Sequence, residues 1–197
     1  SRYGGMVLSW SMDKAGPMCR TIEDCALVFN EIRGASEKDP ASITAPFHFD
    51  PNADISKYTI GYDEEAPEEF LDQLRDMGVR LTAMPEIPQG SSNSLGVDSS
   101  AAFDFHVSPD GEEPEPIPEG LEPREARRRG RFRRGRDVLA LDYVQSQRRR
   151  LILMKEMQEV MDGVDMFVSG GGHVGLTNQT GHPAAIVQYG FGVRNPD

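Results

Sequence analysis

The stretches Tyr58-Thr59-Ile60-Gly61-Tyr62 and Val79-Arg80-Leu81-Thr82-Ala83-Met84 decide the fold class of this chain. Both are rich in the β-branched, aromatic and large apolar residues that favour strands. Between them, Pro67 stands where a helix can begin and Gly78 where it can end. The apolar stripe of that predicted helix comprises Phe70, Leu71, Leu74 and Met77. The pattern predicts a βαβ unit with parallel strands, and therefore an α/β fold.

A second helix is predicted near the start of the chain. The Thr21 hydroxyl can accept a backbone N–H of the first turn, Asp24 can reach back, and Gly34 is placed to end the helix. Its apolar face comprises Cys25, Val28, Phe29 and Ile32. Because Cys19 and Cys25 lie in or beside this helix, we expect them to be small buried side chains with free thiols.

The second half of the chain changes in character along its length. Residues 85–136 hold half of the 14 prolines and are predicted to be a long loop, acidic and then arginine-rich, around a short helix at residues 99–106. Residues 137–162 are predicted to form a long helix, followed by strands at residues 164–168 and 184–187. The inner side of the long helix is predicted to carry Leu141, Val144, Leu151, Met154, Met157 and Met161.

Length and composition exclude several classes of protein. The chain has 197 residues, 38% of them hydrophobic, and a net charge of −11. No stretch is apolar enough to span a membrane, and two cysteines cannot form a disulfide scaffold. No signal-peptide pattern follows Ser1, so we expect a cytoplasmic protein.

The charge is concentrated in one place. Residues 124–150 contain eleven arginines against three carboxylates, so they carry +8 while the rest of the chain carries −19. The arginine segment, residues 124–136, begins at Arg124, ends at Arg136 and contains Phe132, which could stack on an RNA base. The six carboxylates of residues 110–122 offer a local alternative, which we favour: the two blocks neutralise each other, and nucleic acid binds only weakly.

One short motif matches a catalytic pattern by chance. Ser11-Met12-Asp13-Lys14 fits S-x-x-K, in which a lysine lies one helical turn from a nucleophilic serine. Pro17 follows too closely for a helix to run through the motif, because its ring would clash with the carbonyl of Asp13. We therefore assign no catalytic role to either residue.

The glycine loop, residues 170–172, is predicted to be a turn and not a binding site. Consecutive glycines can let backbone N–H groups converge on an anion, but the lysine of a phosphate-binding loop is missing, so we expect a sharp turn. The four histidines have no ligand spacing and no cysteine partners, and we expect no metal site and no cofactor. They are His48, His106, His173 and His182.

Longer blocks of the sequence resemble a known family. Ser1-Arg2-Tyr3-Gly4 and Leu8-Ser9-Trp10-Ser11-Met12-Asp13-Lys14-Ala15-Gly16-Pro17-Met18-Cys19-Arg20-Thr21-Ile22-Glu23-Asp24-Cys25-Ala26-Leu27-Val28 resemble the stretch after the catalytic core of the amidase signature family. Leu176-Thr177-Asn178-Gln179-Thr180-Gly181-His182-Pro183-Ala184-Ala185 is similar to its later segment. Residues 58–62, 141–148 and 164–168 occur between them in the family's order. The family includes broad amidases and the A subunits of glutamyl-tRNA(Gln) and aspartyl-tRNA(Asn) amidotransferases.

The resemblance implies cleavage of, or transfer from, an amide C–N bond. The family uses a serine nucleophile, a second serine after a cis peptide and a lysine base, while glycine-loop N–H groups stabilise the oxyanion. In the family these groups lie upstream of the region that this chain resembles, so no catalytic residue is carried over. The fold that the resemblance implies is α/β, with part of a mixed β-sheet flanked by helices. Residues 1–197 are then the C-terminal portion of one amidase-like domain.

The residues that the resemblance places beside the substrate cleft are Thr177, Asn178, Thr180, Gly181 and His182. An alternative is that Asn178 and Thr180 only satisfy the backbone groups of a turn. The implied partners are a small amide substrate and, for an amidotransferase A subunit, further subunits with glutamine and charged tRNA. An interpretation from another class is a non-enzymatic remnant that binds RNA or a protein through the arginine segment.

Overall fold

A computed structural model describes residues 1–90, 94–113 and 115–189. Its sheet has three strands in the order β2-β1-β3: β1 is Thr59–Tyr62, β2 is Arg80–Ala83 and β3 is Met166–Val168. Both pairings are parallel, with Ile60 opposite Leu81 on one side and opposite Met166 on the other. The prediction of an α/β fold with a parallel βαβ unit is confirmed.

Seven helices accompany the sheet in the described residues. They are α1 (Ile22–Ile32), α2 (Glu68–Asp76), α3 (Ser94–Ala102), α4 (Asp104–Val107), α5 (Pro123–Arg131), α6 (Ala140–Val160) and α7 (Val174–Thr180). Single 3₁₀ turns lie at Ile55–Lys57 and Pro109–Gly111. Helix α2 makes the crossover between β1 and β2, and Pro67 stands one residue before it, at the cap. Gly78, with φ +80°, follows its C-terminal cap, where a left-handed backbone turns the chain into β2.

The hydrophobic core lies between the sheet, α6 and α7. Its buried members are Ile87, Leu153, Met157 and Leu176. Met84, Val160, Met161 and Phe167 pack against them and are partly buried. Because Leu176 belongs to α7, this core fixes the first turns of α7 against α6.

The predicted inner face of α6 is largely wrong. Met157 and Met161 lie in or against the core, but Leu141, Val144, Leu151 and Met154 are exposed. The buried positions are instead Ser146, Leu153 and Met157. Residues 151–154 are all apolar, so periodicity cannot choose among faces, and the position of α7 decides which one is covered.

The start of α1 is as predicted, but its burial is not. The Asp24 N–H donates to the Thr21 hydroxyl at 3.0 Å, which is the expected cap. Val28, Phe29 and Ile32 are exposed, Cys19 is exposed and Cys25 is half-buried. The Phe29 ring makes an edge-to-face contact with Phe47, with centroids 5.0 Å apart, so this face of the helix packs on a loop.

The long loop predicted over residues 85–136 is interrupted by helices. Helices α3 and α4 cover most of the short helix expected at residues 99–106, and α5 overlaps the first part of the arginine segment. Helix α3 is anchored by buried hydroxyls: Ser99 and Ser100 donate to the Gly96 carbonyl, and Ser100 accepts the Gly135 N–H at 3.0 Å. A helix held by serines shows no apolar stripe, which is why the sequence pattern indicated a loop. Residues 91–93 and 114 lie outside the described residues.

The strand predicted at residues 184–187 is wrong. Residues 181–189 have no strand, and the Ile186 side chain is 93% exposed. The apolar run Ala184-Ala185-Ile186-Val187 suits a strand, but a strand exists only where a neighbour accepts its hydrogen bonds.

A glycine just after β3 offers a test of this packing. A Cβ on Gly170 overlaps the Glu65 carbonyl oxygen and lies 3.1 Å from the Glu65 carbonyl carbon, so backbone has to move. We expect Gly170→Ala to lower the free energy of unfolding by about 1–3 kcal/mol in urea denaturation. Gly175→Ala, in α7 with open space around its Cβ, is the control and is expected to raise it by about 0.5–1 kcal/mol. Equal effects of the two substitutions would contradict this packing.

Candidate functional site

The cleft segment, residues 177–182, forms the C-terminal turn of α7 and the residues after it. Gly181 has φ +83° and ends the helix, with its N–H donating to the Thr177 carbonyl at 2.9 Å. The Thr177 and Thr180 hydroxyls donate to the Val174 and Leu176 carbonyls of their own helix. The His182 Nδ1 lies 2.9 Å from the Thr180 hydroxyl oxygen. Four of the five predicted residues are therefore committed to local hydrogen bonds or to the helix end.

Asn178 differs from its neighbours. Its side-chain amide is half-buried and makes no hydrogen bond within the part of the chain that the structure describes. An amide offers both a donor and an acceptor, which match the two polar atoms of an amide bond. Within the cleft segment, Asn178 is the side chain best able to contact a substrate.

Two cations connect the cleft segment to the rest of the chain. The Lys14 ammonium donates to the Thr177 carbonyl at 3.0 Å and to the His182 carbonyl at 2.9 Å. The Arg150 Nε, from α6, donates to the Gln179 carbonyl at 2.6 Å. The N-terminal and C-terminal blocks that resemble the amidase signature family therefore meet in space.

A buried carboxylate organises the surroundings of Arg150. The Asp98 carboxylate accepts from the buried Ser9 hydroxyl at 2.5 Å, from the Ser11 hydroxyl at 3.3 Å and from the Tyr143 hydroxyl at 2.8 Å. Arg150 donates to the Ser11 hydroxyl at 2.7 Å and to the Ser11 carbonyl at 2.9 Å. This network could not be predicted from the sequence, because its members are widely separated along the chain and Asp98 lies where a loop was expected.

These contacts bear on the S-x-x-K motif. Lys14 donates to two carbonyls, and the Ser11 hydroxyl accepts a hydrogen bond from the Arg150 guanidinium, so each member of the motif has partners elsewhere. Burial lowers the pKa of Lys14 below its usual range, while its two carbonyl acceptors stabilise the protonated amine. This geometry gives Ser11 and Lys14 structural tasks.

A second pair lies at the carboxyl ends of β1 and β3. The His173 Nε2 lies 2.7 Å from the Asp63 carboxylate, and both residues are mostly buried. Asp63 directly follows β1, and the glycine loop between β3 and His173 turns with positive φ at Gly171 and Gly172. Adjacent parallel strands end at one edge of a sheet, which brings these distant residues together. The described residues contain no group of three or more histidine, cysteine or acidic side chains that could hold a metal ion.

The arginine segment is only partly paired. Arg129 pairs with Glu125 in the same helix, and Arg136 pairs with Asp104. In the part of the chain that the structure describes, no carboxylate of residues 110–122 lies within 4.0 Å of an arginine of this segment. Phe132 stacks on Phe103, with centroids 4.6 Å apart, so one face of its ring is already covered.

The structure also bears on membrane association. No helix in the described ranges is both long enough and apolar enough to cross a lipid bilayer.

The Tyr143 phenol gives a pH test of the buried network. Burial first, and the hydrogen bond to Asp98 second, raise the pKa of Tyr143 above its ordinary value of about 10. A pKa that is higher in the folded state contributes stability below about pH 10, and this contribution is lost as the pH rises through the folded pKa. We expect Asp98→Asn to lower the pKa of Tyr143 without restoring the ordinary value, because burial remains.

The measurement is alkaline titration of tyrosinate absorbance, with Tyr143 identified by subtracting the Tyr143→Phe curve and folding followed by circular dichroism. Asp104→Asn, which removes an exposed carboxylate paired with Arg136, is the control and should leave the Tyr143 curve unchanged. An unchanged pKa of Tyr143 in Asp98→Asn would contradict the proposed cause.

Comparison with known proteins supplies the family. The family model described as Amidase matches residues 1–170. An amidase of Pseudomonas putida is 26% identical over 188 residues, covering 82% of this chain and 37% of the relative. The A subunit of glutamyl-tRNA(Gln) amidotransferase from Dechloromonas aromatica is 37% identical over 89 residues, covering 45% of this chain and 18% of the relative. The corresponding protein from Dehalococcoides mccartyi is 32% identical over 112 residues, covering 55% and 21%.

The chain spans little more than a third of the length of the Pseudomonas putida relative, and less of the others. The resemblance stated from the sequence blocks is confirmed, and so is the fold class that it implied. Because the match extends over residues 1–170, this chain belongs to the amidase family.

Proposed function

We propose that this chain is the C-terminal portion of an amidase domain that cleaves an amide C–N bond. The observation that carries the proposal is the meeting of the two family-like blocks: Lys14 binds the Thr177 and His182 carbonyls, so the cleft segment is held against residues 9–14. Family membership over residues 1–170 supports the reaction class. A cytoplasmic location is part of the same proposal.

The proposed chemistry divides between this chain and the rest of the domain. The serine nucleophile, the serine that follows a cis peptide, and the lysine base come from a region preceding this chain. The lysine takes a proton through the bridging serine, and backbone N–H groups stabilise the tetrahedral oxyanion. In this chain, Asn178 hydrogen-bonds the substrate, while Thr177, Thr180, Gly181 and His182 shape the wall beside it.

A second candidate within the family is the A subunit of an amidotransferase. Several similar relatives carry the name of the glutamyl-tRNA(Gln) amidotransferase A subunit. Such a protein works with partner subunits on glutamine and charged tRNA. The two candidates differ in one measurement: a free amidase releases ammonia from amides alone, whereas the amidotransferase component needs its partners for full activity.

The 197-residue chain by itself is expected to release no ammonia from simple amides or from glutamine. The gene product that contains this chain together with its flanking coding sequence is expected to do so. The reason is that Ser11 and Lys14, the members of the S-x-x-K motif, are bound to Arg150 and to carbonyls. A coupled ammonia assay makes the measurement.

Two results would contradict this division of the chemistry. Turnover by the isolated chain that Ser11→Ala or Lys14→Ala abolishes would make the S-x-x-K motif catalytic. Turnover that survives both substitutions would place the reacting groups elsewhere in these residues.

The arginine segment supports a candidate of another class, RNA binding without catalysis, which we expect to be weak. Phe103 covers one face of the Phe132 ring, so we expect the arginines to make most of the contacts, to phosphates. With about five phosphates neutralised on a single strand, affinity falls on the order of 100-fold between about 50 and 200 mM salt. Fluorescence anisotropy with a labelled single-stranded RNA measures this dependence.

Two sets of variants separate the effect of the arginine segment on RNA binding from the effect of total charge. Replacing Arg127, Arg131 and Arg134 with glutamine should flatten the salt dependence. Replacing the exposed Arg20, Lys57 and Lys155 with glutamine removes the same charge elsewhere and should change the salt dependence little. Tight, sequence-selective binding at physiological salt would contradict the expectation and favour the RNA-binding candidate.

A further inference from the structure

The C-terminal end of α7 depends on donors from outside the helix. The helix has seven residues, and its last carbonyls lack partners within it except for the Thr177 carbonyl, which accepts the Gly181 N–H. Lys14 supplies a second hydrogen bond to the Thr177 carbonyl and one to the His182 carbonyl, and Arg150 supplies one to the Gln179 carbonyl. Positive charge at this end also complements the helix dipole.

Neither cation is placed to neutralise an acid. Among the described residues, no carboxylate lies within 4.0 Å of the Lys14 or the Arg150 nitrogens. Both side chains direct all of their assigned hydrogen bonds to carbonyl or hydroxyl oxygens. The two charged side chains therefore hold backbone carbonyls of the cleft segment in place.

Arg150 extends the support beyond α7. Its Nη1 and Nη2 bind the Ser11 hydroxyl and carbonyl, while its Nε binds the Gln179 carbonyl, so one guanidinium spans both segments. Ser11 in turn donates to the buried Asp98, which accepts from Tyr143 of α6. Arg150 therefore connects the buried network on one side to the cleft segment on the other.

We propose that Lys14 and Arg150 form a two-cation clamp that positions residues 177–182 and thereby sets substrate affinity. Both are positioning residues, because they act through the backbone on either side of Asn178. The first turn of α7 is held by Leu176 in the core, and the turn that carries Asn178 contains the buried Thr180 and accepts hydrogen bonds from both cations. The effect on substrate rests on the proposed function; the effect on the segment does not.

The first test is hydrogen–deuterium exchange on the gene product that contains this chain. Lys14→Met and Arg150→Met are each expected to speed exchange of the amides of residues 177–182 by about tenfold or more, with β1 amides unchanged. The double variant should show less than the product of the single effects, because losing either donor already frees the turn.

The control for exchange is Arg148→Met on the same helix. Within the described ranges, the hydrogen bond assigned to Arg148 goes to the Gln145 side chain of its own helix, so its loss should leave residues 177–182 protected. Unchanged exchange in both Lys14→Met and Arg150→Met would overturn the clamp. Faster exchange spread equally over β1 would also overturn it, because that result reports global loss of stability.

The second test uses steady-state kinetics of amide hydrolysis by the same gene product. A displaced wall weakens substrate binding, so KM should rise about tenfold in Arg150→Met while kcat stays within about threefold. Arg150→Lys keeps the charge but loses the planar fork, and its KM should be intermediate. A fall in kcat at unchanged KM would overturn the assignment to affinity. If the protein hydrolyses no amide, the proposed function fails, and exchange alone still decides whether the clamp exists.

Discussion

The parallel pairing of β1 on both of its edges is the constraint on which the remaining structure depends. β2 reaches β1 after a single helix, whereas β3 reaches it only after α3, α4, α5 and α6. Closing the long loop between β1 and β3 costs more conformational entropy than closing the short connection of the βαβ unit. The β1–β3 pairing then determines where the chain leaves the sheet, and so where α7 lies. The candidate site is correctly placed only when this non-local pairing has formed.

Local signals in the sequence predicted the elements that local interactions form. The Thr21 cap, the crossover helix α2 and the strands β1 and β2 follow from capping, turn residues and periodicity. The failures have a different origin. Which face of α6 is buried depends on the position of α7, and helix α3 is held by serine hydroxyls that leave no apolar stripe. Residues 184–187 suit a strand but have no strand partner among the described residues.

The candidate site, like the fold, was predicted only in part. Resemblance to a family indicated the cleft segment and the N-terminal block, but it could not show that Lys14 joins them across 163 residues of sequence. Arg150 was hidden among three consecutive arginines, and only the structure distinguishes it, because Arg148 bonds within its own helix. Asp98 gave no signal either, since a single acid in a serine-rich stretch resembles a solvated loop.

Although the chain is acidic overall, two cations lie beside its candidate cleft. Their position has a physical reason. Helix ends and a glycine-terminated turn leave carbonyl oxygens exposed, and an ammonium or guanidinium group satisfies several of them at once. The Lys14 ammonium donates to two backbone carbonyls, and the Ser11 hydroxyl accepts from Arg150 and donates to Asp98, so both side chains are engaged in structural hydrogen bonds. Groups that fix the wall of a cleft are thereby removed from its chemistry. The proposed mechanism accordingly takes its nucleophile and base from outside these residues, and leaves this chain the task of holding Asn178 in place.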